Sequence, residues 1–312
     1  MKKLPLFASF PHYFVETLGM DKYASVFCLN TVSGNIERFI KRNVRARVIA
    51  NTFFPGAHQI NLASIENDQF LLSRIDLRKI YNLASRIESN PRKAQLVEKN
   101  RITLPESVWT FLEECKMISL SSETIYHRAN LLYLLWQVAK YYANLTVNPN
   151  NKIAQAQNLG SVVSFYAGEM RNHFCSNREV NEAHFRMMPE ECALISASIL
   201  IVDLPPARGY FRLPNHILVR ELVAEPAFSL ESSFPAETHL GSCFGSTEAF
   251  LGFLFCFLDF CEHIPYWVII LRESGIKEPL MKLLAERNRK NSLVEHAIAR
   301  DTVFTYLVSH KG

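Results

Sequence analysis

Two short polar segments follow apolar, strand-like runs, and their residue types are suited to binding a ligand. The first, Asn30–Gly34, comes after the run Val26–Leu29, and the second begins at Asp203, the last residue of the run Ser198–Asp203. A glycine in a strand-to-helix turn lets a ligand approach the backbone, and a carboxylate accepts hydrogen bonds. If the two strands are parallel, both segments lie at the carboxyl edge of one sheet, where nucleotide-like ligands bind.

The elements around the first turn predict a βαβ unit with a right-handed crossover over residues 24–52. Ile36, Phe39 and Ile40 recur at helical spacing after the turn, and a second apolar run ends at Asn51. A nucleotide site also needs an acid after that second strand to accept the ribose hydroxyls, but Thr52 occupies this position. The strands and helix that would form such a site are therefore predicted, while much of the set of side chains that would bind the ligand is missing.

Strand-like runs cluster at the two ends of the chain, which predicts an α/β fold interrupted by a helical insertion. We expect an α/β domain over 1–69 and 195–312 and a largely helical insertion over 70–194. Strand patterns are scarce in the insertion, whose expected helices are 71–87, 106–115, 123–143 and 180–195. Further expected elements are helices at 4–18, 55–64 and 277–286, a strand at 266–271, and a closing hairpin formed by 292–299 and 302–309.

The order of the predicted strands, helical insertion and closing hairpin along the chain resembles that of the Dam-like adenine-specific DNA methyltransferases. The resemblance extends over nearly the whole chain, by pattern more than by identity, and rests on Val26–Gly34, Ile49–Thr52, Asp203-Leu-Pro-Pro206 and Tyr266–Leu271. It implies a Rossmann-like methyltransferase sheet with a target-recognising helical insertion and a C-terminal β-hairpin. It also implies S-adenosylmethionine as the cofactor and DNA as the partner.

The chain departs from the family at most of the positions that carry function. The family's turn Asp-x-Phe-x-Gly-x-Gly corresponds to Cys28, Asn30, Val32 and Gly34, its Asn-Asp pair to Asn51 and Thr52, and its Asp-Pro-Pro-Tyr motif to Asp203, Leu204, Pro205 and Pro206. Only Gly34, Asn51, Asp203 and Pro205 keep the family residue. The resemblance thus makes Cys28, Asn30, Gly34 and Asn51 the candidate cofactor-binding residues.

These departures weaken the chemistry that the family performs. The amine of adenine is a poor nucleophile, so such enzymes accept its hydrogens with the Asp carboxylate while an aromatic ring stacks on the flipped base. Asp203 and Pro205 remain as candidate catalytic residues. Pro206 cannot stack, and Tyr210, or Phe211 beside it, is the candidate substitute. Val32 would crowd the cofactor. We therefore expect a catalytically degenerate protein that binds no cofactor, with an active, S-adenosylmethionine-dependent enzyme of divergent motifs as the alternative.

Basic residues supply the candidate nucleic-acid contacts, because a cluster of them can follow a phosphate backbone. They fall into three groups, which are Arg38, Lys41, Arg42 and Arg45, then Arg92 and Lys93, then Arg208 and Arg212. The opposing interpretation is an ordinary solvated face. Three functions stay open: a DNA-binding or scaffold subunit of a larger assembly, the active methyltransferase, and a helical protein-interaction module unrelated to methyltransferases.

Composition excludes several other classes of protein. The 312 residues are 48% hydrophobic with a net charge of +4, which is typical of a globular domain and not of a disordered chain. The seven cysteines contain no CxxC pair, which favours reduced thiols, no metal site and a cytoplasmic location. The most apolar stretch, 249–260, is shorter than the ~20 residues that span a bilayer, so no membrane association is expected.

Overall fold

The computed structural model describes residues 19–29, 34–52, 55–89, 96–99, 102–122, 124–147, 158–173, 177–185, 188–203, 247–271, 276–299 and 302–311. These residues form two compact units. The sheet unit contains the described residues up to 52, between 177 and 203, and from 247 onward; the helical unit contains those between 55 and 173. The corresponding boundaries expected from the sequence are 69–70 and 194–195.

The strands are β1 (Ser25–Leu29), β2 (Arg47–Thr52), β3 (Leu96–Lys99), β4 (Ile102–Pro105), β5 (Glu182–Phe185), β6 (Ile199–Asp203), β7 (Tyr266–Leu271), β8 (Arg289–Ala299) and β9 (Thr302–Lys311). The helices are α1 (Asn35–Asn43), α2 (Pro55–Asn61), α3 (Arg74–Glu88), α4 (Glu106–Leu120), α5 (Ile125–Val147), α6 (Leu159–His173), α7 (Thr247–Phe260) and α8 (Lys277–Glu286). No helix in the described part of the chain is long and apolar enough to cross a membrane.

The sheet unit is built on a seven-stranded sheet in the order β5-β2-β1-β6-β7-β9-β8. The first five strands of that order are parallel, and β9 is antiparallel to both β7 and β8. Val26 pairs with Ile199 and Leu29 with Val202, so β1 and β6 are direct neighbours. The expected α/β class, the shared sheet and the C-terminal hairpin are therefore confirmed.

The apolar runs that predicted β1 and β6 form the centre of the core. Val26, Phe27, Ile199 and Leu200 are each at most 1% exposed, as expected of central parallel strands covered on both faces. Ile40 of α1 is also fully buried. The continuous hydrophobicity of these strands, without alternation, follows from the burial of both faces.

The helix predicted over 180–195 is wrong. Strand β5 occupies Glu182–Phe185, and a 3-10 helix follows at Pro189–Leu194. Tertiary contacts fix this edge strand, since Asn181 Oδ1 accepts a hydrogen bond from the Val48 amide at 2.9 Å and Glu182 forms an ion pair with Arg47. Pairing with β2 thus overrides the local helical pattern.

The helical unit contains the predicted helices as α3, α4 and α5, and the helix expected at 55–64 as α2 followed by a π-helical turn, Leu62–Glu66. It also contains α6 and the antiparallel β3–β4 pair, which the sequence analysis did not predict. Helix α3 packs against α4 and α6, and α4 packs against α5. The expected helix at 4–18 lies outside the described residues.

A buried arginine joins the closing hairpin to β7. The Arg289 guanidinium lies 3.6 Å from the ring centroid of Trp267, and it donates hydrogen bonds to Ser309 Oγ at 3.0 Å and to the Pro265 carbonyl at 2.8 Å. Burial lowers the pKa of Arg289 to about 10, and nearby Glu262 opposes that shift. The residue is only 4% exposed, so these contacts are largely shielded from water.

We expect Arg289→Ala to lower the free energy of unfolding of the sheet unit by about 2–4 kcal/mol, because a desolvated cation–π contact contributes ~2 kcal/mol and hydrogen bonds from a charged group ~1.5–3 kcal/mol each without full additivity. Hydrogen exchange of the β9 amides during urea titration measures this change. Lys290→Ala, at the exposed neighbouring position, is the matched control, with an expected change below about 0.5 kcal/mol. Equal losses in the two variants would contradict the role given to Arg289.

Candidate functional site

The sheet brings the predicted ligand residues to one edge. Cys28 pairs with Ala50 of β2 and with Ile201 of β6, so it lies near the carboxyl ends of three neighbouring strands. Asn51 and Thr52 end β2, and Asp203 ends β6. The strand order reverses between β1 and β6, which is where open α/β sheets bind ligands. The edge proposed from the sequence therefore exists.

Gly34, directly before α1, has a special backbone conformation. Its φ of 61° and ψ of 22° are left-handed, and its carbonyl accepts the first bond of α1 from the Arg38 amide at 2.9 Å. Glycine adopts this conformation without the steric penalty that a Cβ introduces. The geometry of the turn thus explains why position 34 is a glycine, whether or not a cofactor binds.

A carboxylate that the sequence analysis did not select lies at this edge. Glu37, in the first turn of α1, is 6% exposed, and its side chain hydrogen-bonds to Cys28. Burial raises the pKa of the Cys28 thiol well above its ordinary value, and the charges of Glu37 and Asp203 raise it further. At neutral pH Cys28 is therefore a protonated thiol held against an acid.

The side chains at the end of β2 are closed to solvent. Asn51 and Thr52 are both 0% exposed, and Cys28 is 1% exposed. Asp203, in contrast, is half-buried. Of the described residues expected at the ligand edge, Asp203 is thus the one whose side chain a ligand reaches without displacing buried side chains.

The basic cluster on and after α1 is smaller than expected. Lys41 is 1% exposed, so its ammonium is withdrawn from the surface and does not contact a phosphate backbone in this conformation. Arg42 is exposed, and Arg38 donates to the Asn35 side chain. Arg45, with 79% of its side chain exposed, forms an ion pair with Glu179 at 3.3 Å. Three of the four predicted contacts therefore keep surface exposure.

The burial of Glu37 and Lys41 was not predicted from the sequence, because charged residues on a helix are usually solvated. They are four residues apart and therefore lie on the same face of α1, next to the buried stripe that contains Ile36 and Ile40. The useful signal was this i, i+4 acid–base spacing directly beside an apolar stripe. It marks a helix whose charged residues face inward as well as outward.

The remaining predicted site residues, Asn30, Pro205, Tyr210, Arg92, Lys93, Arg208 and Arg212, lie outside the described residues. Within the described part of the chain, no group of three or more His, Cys, Asp or Glu side chains is arranged to hold a metal ion. The described cysteines Cys28, Cys115, Cys192, Cys256 and Cys261 form no disulfide.

No protein-family model matches this chain, and no curated protein matches it.

We expect Cys28 to resist alkylation in the folded protein, because the attacking species is the thiolate and the raised pKa keeps Cys28 protonated at pH 8. The exposed Cys256 serves as the internal control and should react at least about a hundredfold faster. Iodoacetamide labelling followed by peptide mass spectrometry measures both rates. Modification of Cys28 as fast as Cys256 in folded protein would show that the carboxyl edge is open.

Proposed function

We propose that this chain is a methyltransferase-like protein whose cofactor edge is degenerate, and that it acts as a DNA-binding or scaffold subunit of a larger assembly. The observation that carries the proposal is the closed packing of the edge. Cys28 and Glu37 are in contact, and Cys28, Asn51 and Thr52 are all at most 1% exposed. Bidentate recognition of a ribose requires an accessible carboxylate after β2, and the buried Thr52 hydroxyl does not provide it.

The topology supports the methyltransferase part of this proposal. Counted within the sheet, the first five strands follow the doubly wound order 3-2-1-4-5, and the antiparallel hairpin β8–β9 completes the sheet. This agrees with the closing hairpin implied by the resemblance to Dam-like enzymes. The fold alone does not fix an activity, so the functional part rests on the residues of the edge.

The binding part of the proposal rests on the surface of the helix that follows the turn. Arg38, Arg42 and Arg45 keep surface exposure within eight positions of one another, on and directly after α1. Arg45 already pairs with Glu179, so a phosphate must compete with a carboxylate for it. We therefore propose backbone contacts of modest strength, without base recognition by these residues.

The half-buried Asp203 favours the active enzyme as the second candidate, since this carboxylate still lies at the edge where an adenine amine would be accepted. A methylation assay on adenine-containing DNA separates the two candidates. The degenerate protein transfers no methyl group. Transfer that Asp203→Ala abolishes would establish the active enzyme instead.

We expect S-adenosylmethionine to give no binding heat at concentrations up to ~1 mM, because charge-assisted hydrogen bonds to the ribose, at ~1.5–3 kcal/mol each, are missing. Thr52→Asp should tighten binding by at least about tenfold, or ~1.4 kcal/mol, whereas Thr52→Val should not. Isothermal titration calorimetry measures both, with thermal unfolding as the check on folding. Micromolar binding by the unchanged protein would place the cofactor elsewhere.

We expect DNA affinity to fall steeply with salt, with a slope of about −0.9 in log–log form for each phosphate contacted. The Arg42→Ala, Arg45→Ala double variant should reduce that slope by up to about two and weaken all sequences alike. Fluorescence anisotropy between low and physiological salt measures the slope. The Lys282→Ala, Lys290→Ala variant removes the same charge at exposed positions outside the cluster and should leave it unchanged. Identical slopes in both variants would exclude the α1 surface as the DNA contact.

A further inference from the structure

The helical unit contains a serine, a histidine and an aspartate in a hydrogen-bonded line. Ser122 Oγ lies 3.0 Å from His127 Nδ1, and His127 Nε2 lies 3.0 Å from Asp76 Oδ2. Ser122 lies in the loop between α4 and α5, while His127 belongs to α5 and Asp76 to α3. The base is therefore within hydrogen-bond distance of both the nucleophile and the orienting acid, which is the geometric requirement for nucleophilic catalysis.

The acid determines which nitrogen of the histidine carries the proton. Asp76 is an acceptor when ionised, so the contact at Nε2 favours the tautomer with the proton on Nε2. That tautomer leaves the Nδ1 lone pair directed at the Ser122 hydroxyl. Partial burial acts to raise the pKa of Asp76, but hydrogen bonds from Ser73 and His127 outweigh it, so the pKa lies below its ordinary value. The carboxylate is therefore ionised at neutral pH.

Helix caps hold the acid and the base in place. Asp76 is the third residue of α3 in a capping box with Ser73, whose hydroxyl accepts from the Asp76 amide at 3.1 Å. Thr124 precedes α5 and accepts a hydrogen bond from the His127 amide through its hydroxyl at 3.2 Å. The Asp and the His are thus each fixed in the first turn of a helix, and neither depends on a long flexible loop.

Apolar side chains that are exposed to solvent flank these residues in sequence. Ile75 is 68% exposed and adjoins Asp76, and Ile125 is 54% exposed and lies two residues before His127. Phe70 is 50% exposed and stacks on Tyr126 with ring centroids 5.3 Å apart. Such side chains near a polar constellation suit a substrate with an apolar acyl group.

The first turn of α5 adds hydrogen-bond donors. The amides of Ile125 and Tyr126 belong to the first residues of the helix, where N–H groups have no intrahelical acceptor. They follow Ser122 by three and four positions. These donors, at the positive end of the helix dipole, suit the oxyanion of a tetrahedral intermediate.

We propose that Ser122, His127 and Asp76 form a hydrolytic site for carboxylic esters with apolar acyl groups. The Ser122 oxygen bonds to the ester carbonyl carbon while its proton passes to His127 Nδ1. His127 gives that proton to the departing alcohol as the bond between carbonyl carbon and alkoxy oxygen breaks. The oxygen of a water molecule, whose proton passes to the same nitrogen, then bonds to the carbonyl carbon. The bond between that carbon and the Ser122 oxygen breaks, His127 returns the proton to Ser122, and the acid leaves. The site is independent of the function proposed for the sheet unit.

The test uses the full chain with p-nitrophenyl butyrate and p-nitrophenyl octanoate as substrates. We expect turnover by the unchanged protein, loss of turnover in Ser122→Ala, and a reduction of about 100-fold or more in His127→Gln, because a general base contributes ~10²–10⁴. Asp76→Asn should reduce kcat more than it changes KM, since it disturbs the tautomer and leaves the apolar surface intact. Ser121→Ala is the matched control, because that exposed hydroxyl binds the Ile118 carbonyl and should leave turnover unchanged.

A fluorophosphonate probe gives a second measurement that does not depend on choosing the right ester. Mass spectrometry should locate the probe on Ser122 in the unchanged protein and in Ser121→Ala, but not after denaturation. Far-UV circular dichroism establishes that each variant is folded. Turnover that persists in folded Ser122→Ala, or folded unchanged protein with neither turnover nor labelled Ser122, would overturn the proposal and leave the three residues as a helix-capping network.

Discussion

The pairing of β1 with β6 is the interaction on which the rest of the sheet unit depends. The Ser198 amide donates to both the carbonyl and the hydroxyl of Ser25, at 3.1 and 3.0 Å, although the two residues are 173 positions apart. Closing so long a connection is entropically unfavourable, so the apolar runs of both strands must compensate by burying both faces. The same pairing places Cys28 beside Asp203 and creates the edge where the strand order reverses.

The elements that could be predicted from the sequence are those whose apolar residues form a continuous run or recur at helical spacing. Strand β6, strand β7 and helix α8 were located closely, because apolar runs and helical spacing report directly on burial. Strand β5 was missed because Glu182 and His184 are polar and pair with each other at its edge position, with Glu182 also bound to Arg47. Helix α6 was missed because Gly160 and Gly168 lower its helix propensity, and its burial of Val163 becomes apparent only after folding.

The candidate site residues likewise divide into those that the sequence predicts and those that only the folded structure reveals. The positions of Cys28, Gly34 and Asp203 follow from the ends of strands, which the sequence pattern marks. Glu37 could not be selected, since a charged residue is buried only when the tertiary structure provides a partner such as the Cys28 thiol. The hydrogen-bonded arrangement of Ser122, His127 and Asp76 also could not be predicted from the sequence, because it joins α3 to the start of α5 and has no fixed sequence spacing.

The two acids have opposite effects on their neighbours, and the difference lies in solvent access. Glu37 is buried against a thiol, and in that setting a further negative charge is unfavourable, so Cys28 keeps its proton. Asp76 is partly exposed and receives hydrogen bonds from Ser73, so it keeps its charge and orients the imidazole of His127. A carboxylate that holds a thiol neutral suppresses a nucleophile, whereas one that orients an imidazole activates a hydroxyl. Reactivity in this chain is therefore expected at the helix ends around His127, and no chemistry is expected at the closed edge around Cys28.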